Sequence, residues 1–125
     1  MAAPGSTRAR GRTTEDLAAA HLEAGGLVIV DRNVEEKIAE VDLVARDEDG
    51  THVFVEVRGR KHEDHGHPLE TVDARKQARI VRGATAWLVD HDLWDKVPLR
   101  FDVVAVTYDT TPPTITWIKN AFDAV

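Results

Sequence analysis

Cysteine is missing altogether from the 125 residues, which excludes a disulfide framework and any thiolate metal site, a zinc ribbon included, and suits a reducing compartment. Long apolar runs are missing too. Nothing approaches the ~20 consecutive apolar residues of a membrane span, and the arginine-bearing first twelve residues have no apolar stretch of the kind a secretory leader needs. A cytoplasmic protein without a membrane partner is expected. Internal repeats are absent, as is any low-complexity segment beyond the start. Net positive charge is the last absence: the balance is -6, which on average opposes a nucleic-acid partner, because phosphate binding relies on clustered Lys and Arg. The average conceals a reversal. Residues 13–57 hold twelve acidic and three basic side chains, whereas residues 58–82 hold seven basic and four acidic ones. A binding face needs only local positive charge, so the total weighs little against DNA or RNA.

What is present describes one domain. The length suits a single core of roughly 100 to 200 residues, and 42% hydrophobic with 30% charged residues is far from the composition of a disordered chain. Residues 1–12, rich in Gly, Ala, Ser and Arg with no apolar period, read as a disordered tail, and residues 13–125 as the folded domain. Thr13 offers a helix N-cap with Asp16 three positions on; Leu17, Ala20, His21 and Ala24 keep helical spacing, and Gly25-Gly26 should end the helix. Residues 27–30 read as a short buried strand and residues 31–33 as a turn.

From residue 38 to 46 the pattern has period two. Ala39, Val41, Leu43 and Ala45 point one way; Glu40, Asp42, Val44 and Arg46 point the other. After the polar tip at residues 47–50 a second alternating strand carries Val53, Val55 and Val57 against His52, Phe54, Glu56 and Arg58. Matching the faces of this hairpin requires residues of equal parity to pair, Asp42 with Glu56 for example, with the tip closing near Arg46 and His52. A histidine-bearing loop over residues 60–68 leads to a second helix, capped by Thr71 and running to about Leu88. Its Ala74, Ala78, Val81, Ala84 and Leu88 form an apolar stripe, and Arg75, Arg79 and Arg82 a basic ridge. Strands over residues 99–106 and 114–118 complete the order helix, three strands, helix, two strands, an α/β arrangement.

Two carboxylates in this register have Cβ atoms about 5 to 8 Å apart and repel. A hard divalent cation compensates such a pair, since Mg2+ typically takes one or two carboxylates plus waters and phosphate oxygens, and it would lower the pKa of a bound water. The plainer reading is a solvated acidic face whose acids pair with Arg46 or Arg58, and spacing alone leaves both open.

The set Glu15, the stretch Ala39-Glu40-Val41-Asp42-Leu43-Val44-Ala45, the stretch Val53-Phe54-Val55-Glu56-Val57-Arg58-Gly59-Arg60, Lys76, and Arg100-Phe101-Asp102-Val103-Val104 resembles the YraN family of uncharacterised bacterial proteins over residues 11–123. The resemblance implies a restriction-endonuclease-like fold of the PD-(D/E)XK type, similar to Holliday-junction resolvases, with a mixed central sheet of about five strands flanked by helices in the order αβββαββ. It implies Asp42, Glu56 and Arg58 as the catalytic set, and Asp42, Glu56, the Val57 carbonyl and Glu15 as ligands of Mg2+ or Mn2+. Arg60, Lys61, Arg75, Lys76, Arg79 and Arg82 would contact nucleic acid. The implied activity is a metal-dependent endonuclease on DNA, branched or structured, with room for a homodimer. The alternative is an inactive nucleic-acid-binding or adaptor protein of the same fold. Arg58 departs from the family's usual Lys: a guanidinium keeps its charge, so it can orient phosphate or stabilise a transition state but cannot act as a base. Lys61 is close enough in sequence to stand in. Ala39 replaces the usual Gly.

Other features read more plainly. Glu15 at a helix start also suits the helix dipole, Glu40 reads as solvated, and Asp102 as a partner for Arg100. His62, His65 and His67 lack a fourth ligand for a transition metal. Trp87, Trp94 and Trp117 read as core or interface anchors.

Overall fold

The two periodicities of the sequence, 3.6 and 2, become seven elements in the expected order. The computed structural model describes residues 7–36, 39–61, 67–68 and 72–124. They form α1 (Thr7–Ala24), β1 (Val28–Glu36), β2 (Ala39–Arg46), β3 (His52–Arg60), α2 (Ala74–Asp90), β4 (Leu99–Thr107) and β5 (Thr114–Phe122). The strands build one sheet in the order β1-β2-β3-β4-β5. All neighbours are antiparallel except β3 and β4; parallel strands cannot be joined by a tight turn, and α2 supplies the crossover. This is an α/β mixed sheet flanked by helices, consistent with a restriction-endonuclease-like fold.

Alternation sorts the side chains onto two faces. Ala18, Ala19 and Leu22 of α1 pack with Leu43, Ala45, Val53, Val55 and Val104 on one face. Ile80, Ala84, Trp87 and Leu88 of α2 pack with Val44, Phe54, Phe101 and Val103 on the other. β3 is buried on both faces along residues 52–56, as a central strand of a covered sheet must be.

The hairpin closes as parity requires, with Arg46 opposite His52 and Leu43 opposite Val55. Its tip turns at Gly50, φ +89°, a conformation glycine adopts without a Cβ penalty. Several expectations need correction. α1 begins at Thr7, so Thr13 lies inside the helix and does not cap it, and the expected tail at residues 1–12 is helical from Thr7 on; Arg and Ala in residues 8–12 are good helix formers that offset Gly11. Residues 31–33 are not a turn. They continue β1, where the register to β2 shifts between Ile29 and Asp31 and Asn33 takes a positive φ of 54°, the irregularity of a β-bulge rather than a chain reversal. The cap of α2 is Asp73, whose side chain accepts the Lys76 N–H at 2.9 Å; Thr71, His62 and His65 lie outside the described residues. β5 runs to Phe122 because its outer half pairs with the start of β4, Phe101 opposite Phe122. Trp87 is core, whereas Trp94 is 52% exposed and is not.

Candidate active site

The β2–β3 ladder ends at Leu43 and Val55, one residue short of the carboxylates. There the Val57 N–H donates to Asp42 Oδ2 at 2.8 Å, so a side chain from β2 takes a backbone donor of β3. Strict alternation in β2 fails at this point. Val41 joins the cluster under α2 together with Val44, whereas Leu43 joins the cluster under α1. Asp42 thereby sits beside Glu56, near enough that its charge raises the Glu56 pKa.

Glu56 is the buried member, its side chain 2% exposed. Oε1 receives Arg58 Nη1 and Lys76 Nζ, each at 3.4 Å, while Oε2 has no hydrogen-bond partner among the described residues. Burial, and then the Asp42 charge, push the Glu56 pKa from 4.5 up to about 7, against the pull of Lys76 and Arg58. Burial likewise raises Asp42, against the Val57 N–H. A buried acceptor without a donor is costly, on the order of 1 to 3 kcal/mol. Such an oxygen beside a second carboxylate is the donor set that a hard divalent cation takes, completed by water. The residues therefore fit Mg2+ or Mn2+. Among the described residues no three His, Cys, Asp or Glu side chains gather into a group that could hold a metal ion.

Lys76 comes from the first turn of α2. Its ammonium bonds Glu40 Oε1 and also faces Glu56, and Arg79 Nη2 stands 3.9 Å from Glu40 Oε2. The bond from Lys76 holds the Glu40 carboxyl below its ordinary range. Burial works against the Lys76 charge, but Glu40 and Glu56 outweigh it and hold its pKa above the ordinary value. Helix and strand approach this closely because Gly83 has no side chain: a Cβ there would lie 2.9 Å from Val41 Cγ2 and 3.0 Å from the Glu40 carbonyl.

Glu15 lies deeper in its helix than expected, well past the first turn, so the dipole reading fails. Its carboxylate accepts from Asn33 Nδ2 at 3.1 Å and stands 3.9 Å from Arg32. Burial, followed by the Asp42 charge, raises its pKa. Val57 enters through its N–H. Arg60 turns away to Thr107 Oγ1 at 3.0 Å, and Lys61 is exposed just beyond β3. Of the basic ridge, Arg75 and Arg82 are exposed while Arg79 leans inward with its Nε buried. Glu40 is the residue that strand reading undervalued. Its position on the acidic face of β2 was visible, but its partner lies 36 residues away on a helix. Asp102, at 0% exposure, does pair with Arg100, at 3.1 Å, and also accepts from Trp117 Nε1 and the Asn120 N–H, each at 2.9 Å.

Comparison with known proteins shows sequence relatives over most of the chain. The model of "Uncharacterised protein family UPF0102" matches residues 14–106. A "UPF0102 protein" of Pseudomonas aeruginosa is 48% identical over 121 residues, covering 95% of this chain and 96% of the relative. One from Chromohalobacter salexigens is 46% identical over 120 residues, with 94% of each chain covered. A Legionella pneumophila protein of the same description is 36% identical over 119 residues, with 94% and 98% covered.

Proposed function

The chain belongs to the uncharacterised protein family UPF0102, and from the geometry of its carboxylate site we propose that it is a divalent-metal-dependent endonuclease acting on DNA. The observation that carries the reading is the convergence of Asp42 with buried Glu56, whose Oε2 lacks any donor among the described residues while cations crowd Oε1. An acid pair left this way wants a further positive charge.

The reaction is phosphodiester hydrolysis: water adds to phosphorus, the bond to the leaving sugar oxygen breaks, and a phosphomonoester and an alcohol result. Mg2+ or Mn2+, held by Asp42 and Glu56, would supply a water of lowered pKa and offset charge on the phosphate. The chain's own groups do the rest. Arg58, 35% exposed at the rim, orients a phosphate through its planar fork, and exposed Arg75 and Arg82 on α2 hold the flanking backbone.

The test is a calorimetric Mn2+ titration of wild type and Asp42→Ala, beside cleavage assays on branched, nicked and single-stranded DNA. Wild type should bind and cut, and Asp42→Ala should do neither. Absence of both binding heat and cleavage in wild type would end the reading. Arg58 in place of lysine favours one competitor, a non-catalytic DNA-binding protein. It predicts metal-independent binding that survives Glu56→Ala but is lost when Arg75 and Arg82 are reversed to Glu.

A further inference from the structure

We infer that Lys76, reaching in from α2, is the catalytic cation of this site, contacting the scissile phosphate, and that Glu40 is the residue that positions it; the inference rests on the nuclease reading above. Three observations converge on it. Lys76 Nζ lies 3.4 Å from Glu56 Oε1, on the same carboxylate whose other oxygen is left for a cation, so a phosphate drawn to that cation would come to rest beside the ammonium. An ammonium has three donors, and the described residues engage two of them, at Glu40 and Glu56. The third is left for a substrate oxygen.

The second observation concerns fixation. Lys76 is the third residue of α2, its own N–H held by Asp73, and its side chain is only 23% exposed. Arg58 sits on the same Glu56 oxygen but is more exposed, at 35%. Preorganised charge stabilises a transition state better than charge that must first be ordered. The third is the supporting structure. Glu40 receives Lys76 directly and Arg79 at 3.9 Å, and Gly83 allows α2 to rest on the Glu40 backbone. The helix is thus pinned where Lys76 must point. The β3 strand supplies an arginine at the position its motif gives to lysine, and the helix returns a lysine to the same carboxylate.

The experiment uses the full chain with Lys76→Gln, Lys76→Arg and Glu40→Gln, measuring Mn2+ binding by calorimetry, thermal unfolding without metal, and cleavage of a labelled four-way DNA junction. Lys76→Gln keeps a donor for Glu40 while removing the charge. It should tighten Mn2+ roughly three- to tenfold, since a neighbouring cation is gone, and slow cleavage about a hundredfold. Lys76→Arg should restore part of the rate. Glu40→Gln should slow cleavage roughly tenfold with Mn2+ affinity nearly unchanged. Cleavage by Lys76→Gln within threefold of wild type would overturn the assignment while leaving the nuclease reading intact. So would a parallel fall in Mn2+ affinity, unfolding temperature and cleavage, the signature of a mere strap between helix and sheet. Wild type that neither binds Mn2+ nor cuts would remove the nuclease reading itself, and this assignment with it.

Discussion

At the scale of single residues the site is an electrostatic conflict. Glu56 is desolvated and faces Asp42, and the cations Lys76 and Arg58 offset this only in part, which is why its pKa stands near 7 rather than 4.5. Between those values the folded state binds a proton that the unfolded state has released, so stability falls as pH rises through this window. Asp42 and Glu15 are displaced in the same direction. Glu40 is displaced the other way, and its contribution is lost only as pH drops below the ordinary carboxylate range, outside the window. Urea titrations of the metal-free protein should therefore give a higher unfolding free energy at pH 5.5 than at pH 8, by at most about 3 kcal/mol. Equal or reversed values would contradict the burial of Glu56. Glu56→Gln, an isostere that needs no counter-charge, should be more stable than wild type at pH 8 by roughly 1 to 2 kcal/mol. It should also bind Mn2+ poorly, which calorimetry reads directly.

At the scale of elements, the contact between α2 and β2 decides where the basic groups go. Gly83 sits inside a helix, where Ala would be favoured by about 1 kcal/mol on propensity alone. Here a Cβ would meet the Glu40 carbonyl at 3.0 Å and Val41 at 2.9 Å, and the carbonyl is backbone that cannot swing aside. Overpacking should win: Gly83→Ala is expected to destabilise by roughly 1 to 3 kcal/mol in urea unfolding. It should also weaken the grip of Lys76 on Glu40, seen as slower cleavage with the carboxylate pair untouched. A stabilised Gly83→Ala would mean that the helix does not lie so close.

Across the whole molecule, charge and burial are linked through β4. Asp102 is fully buried yet accepts from Arg100, Trp117 and the Asn120 backbone, and Arg100 continues to Asp47 at the hairpin tip at 3.0 Å. The network ties β5 and the tip to the central sheet. Asp102→Ala, which leaves Arg100 half-buried and two donors unpaired, should cost about 3 to 5 kcal/mol of stability, measured by urea denaturation. A loss under 1 kcal/mol would show that water replaces the carboxylate. The net charge of -6 coexists with a local basic surface at Arg75 and Arg82, so under the proposed nuclease reading those two contacts should give DNA binding a modest salt slope of roughly two.

Periodicity and parity determined the element order and the hairpin register from Arg46 and His52 to Leu43 and Val55, because a strand that covers a core cannot slip by one residue without inverting its faces; beyond that point alternation fails, and the bond from the Val57 N–H to Asp42 joins the two strands. Local pattern also marked Arg100 with Asp102, two residues apart on one face. It misplaced the start of α1, the bulge in β1 and the cap of α2, where neighbouring strands and competing caps decide between local alternatives. Only tertiary structure brought Lys76 to Glu40 and Glu56. Alternation shows which way a strand residue faces and helical spacing which way a helix residue faces, but neither says which helix turn lands on which strand. That was decided by the close approach at Gly83 and by where the two cores pack, and it turned a lysine that read as a surface contact into the cation beside the opening carboxylates.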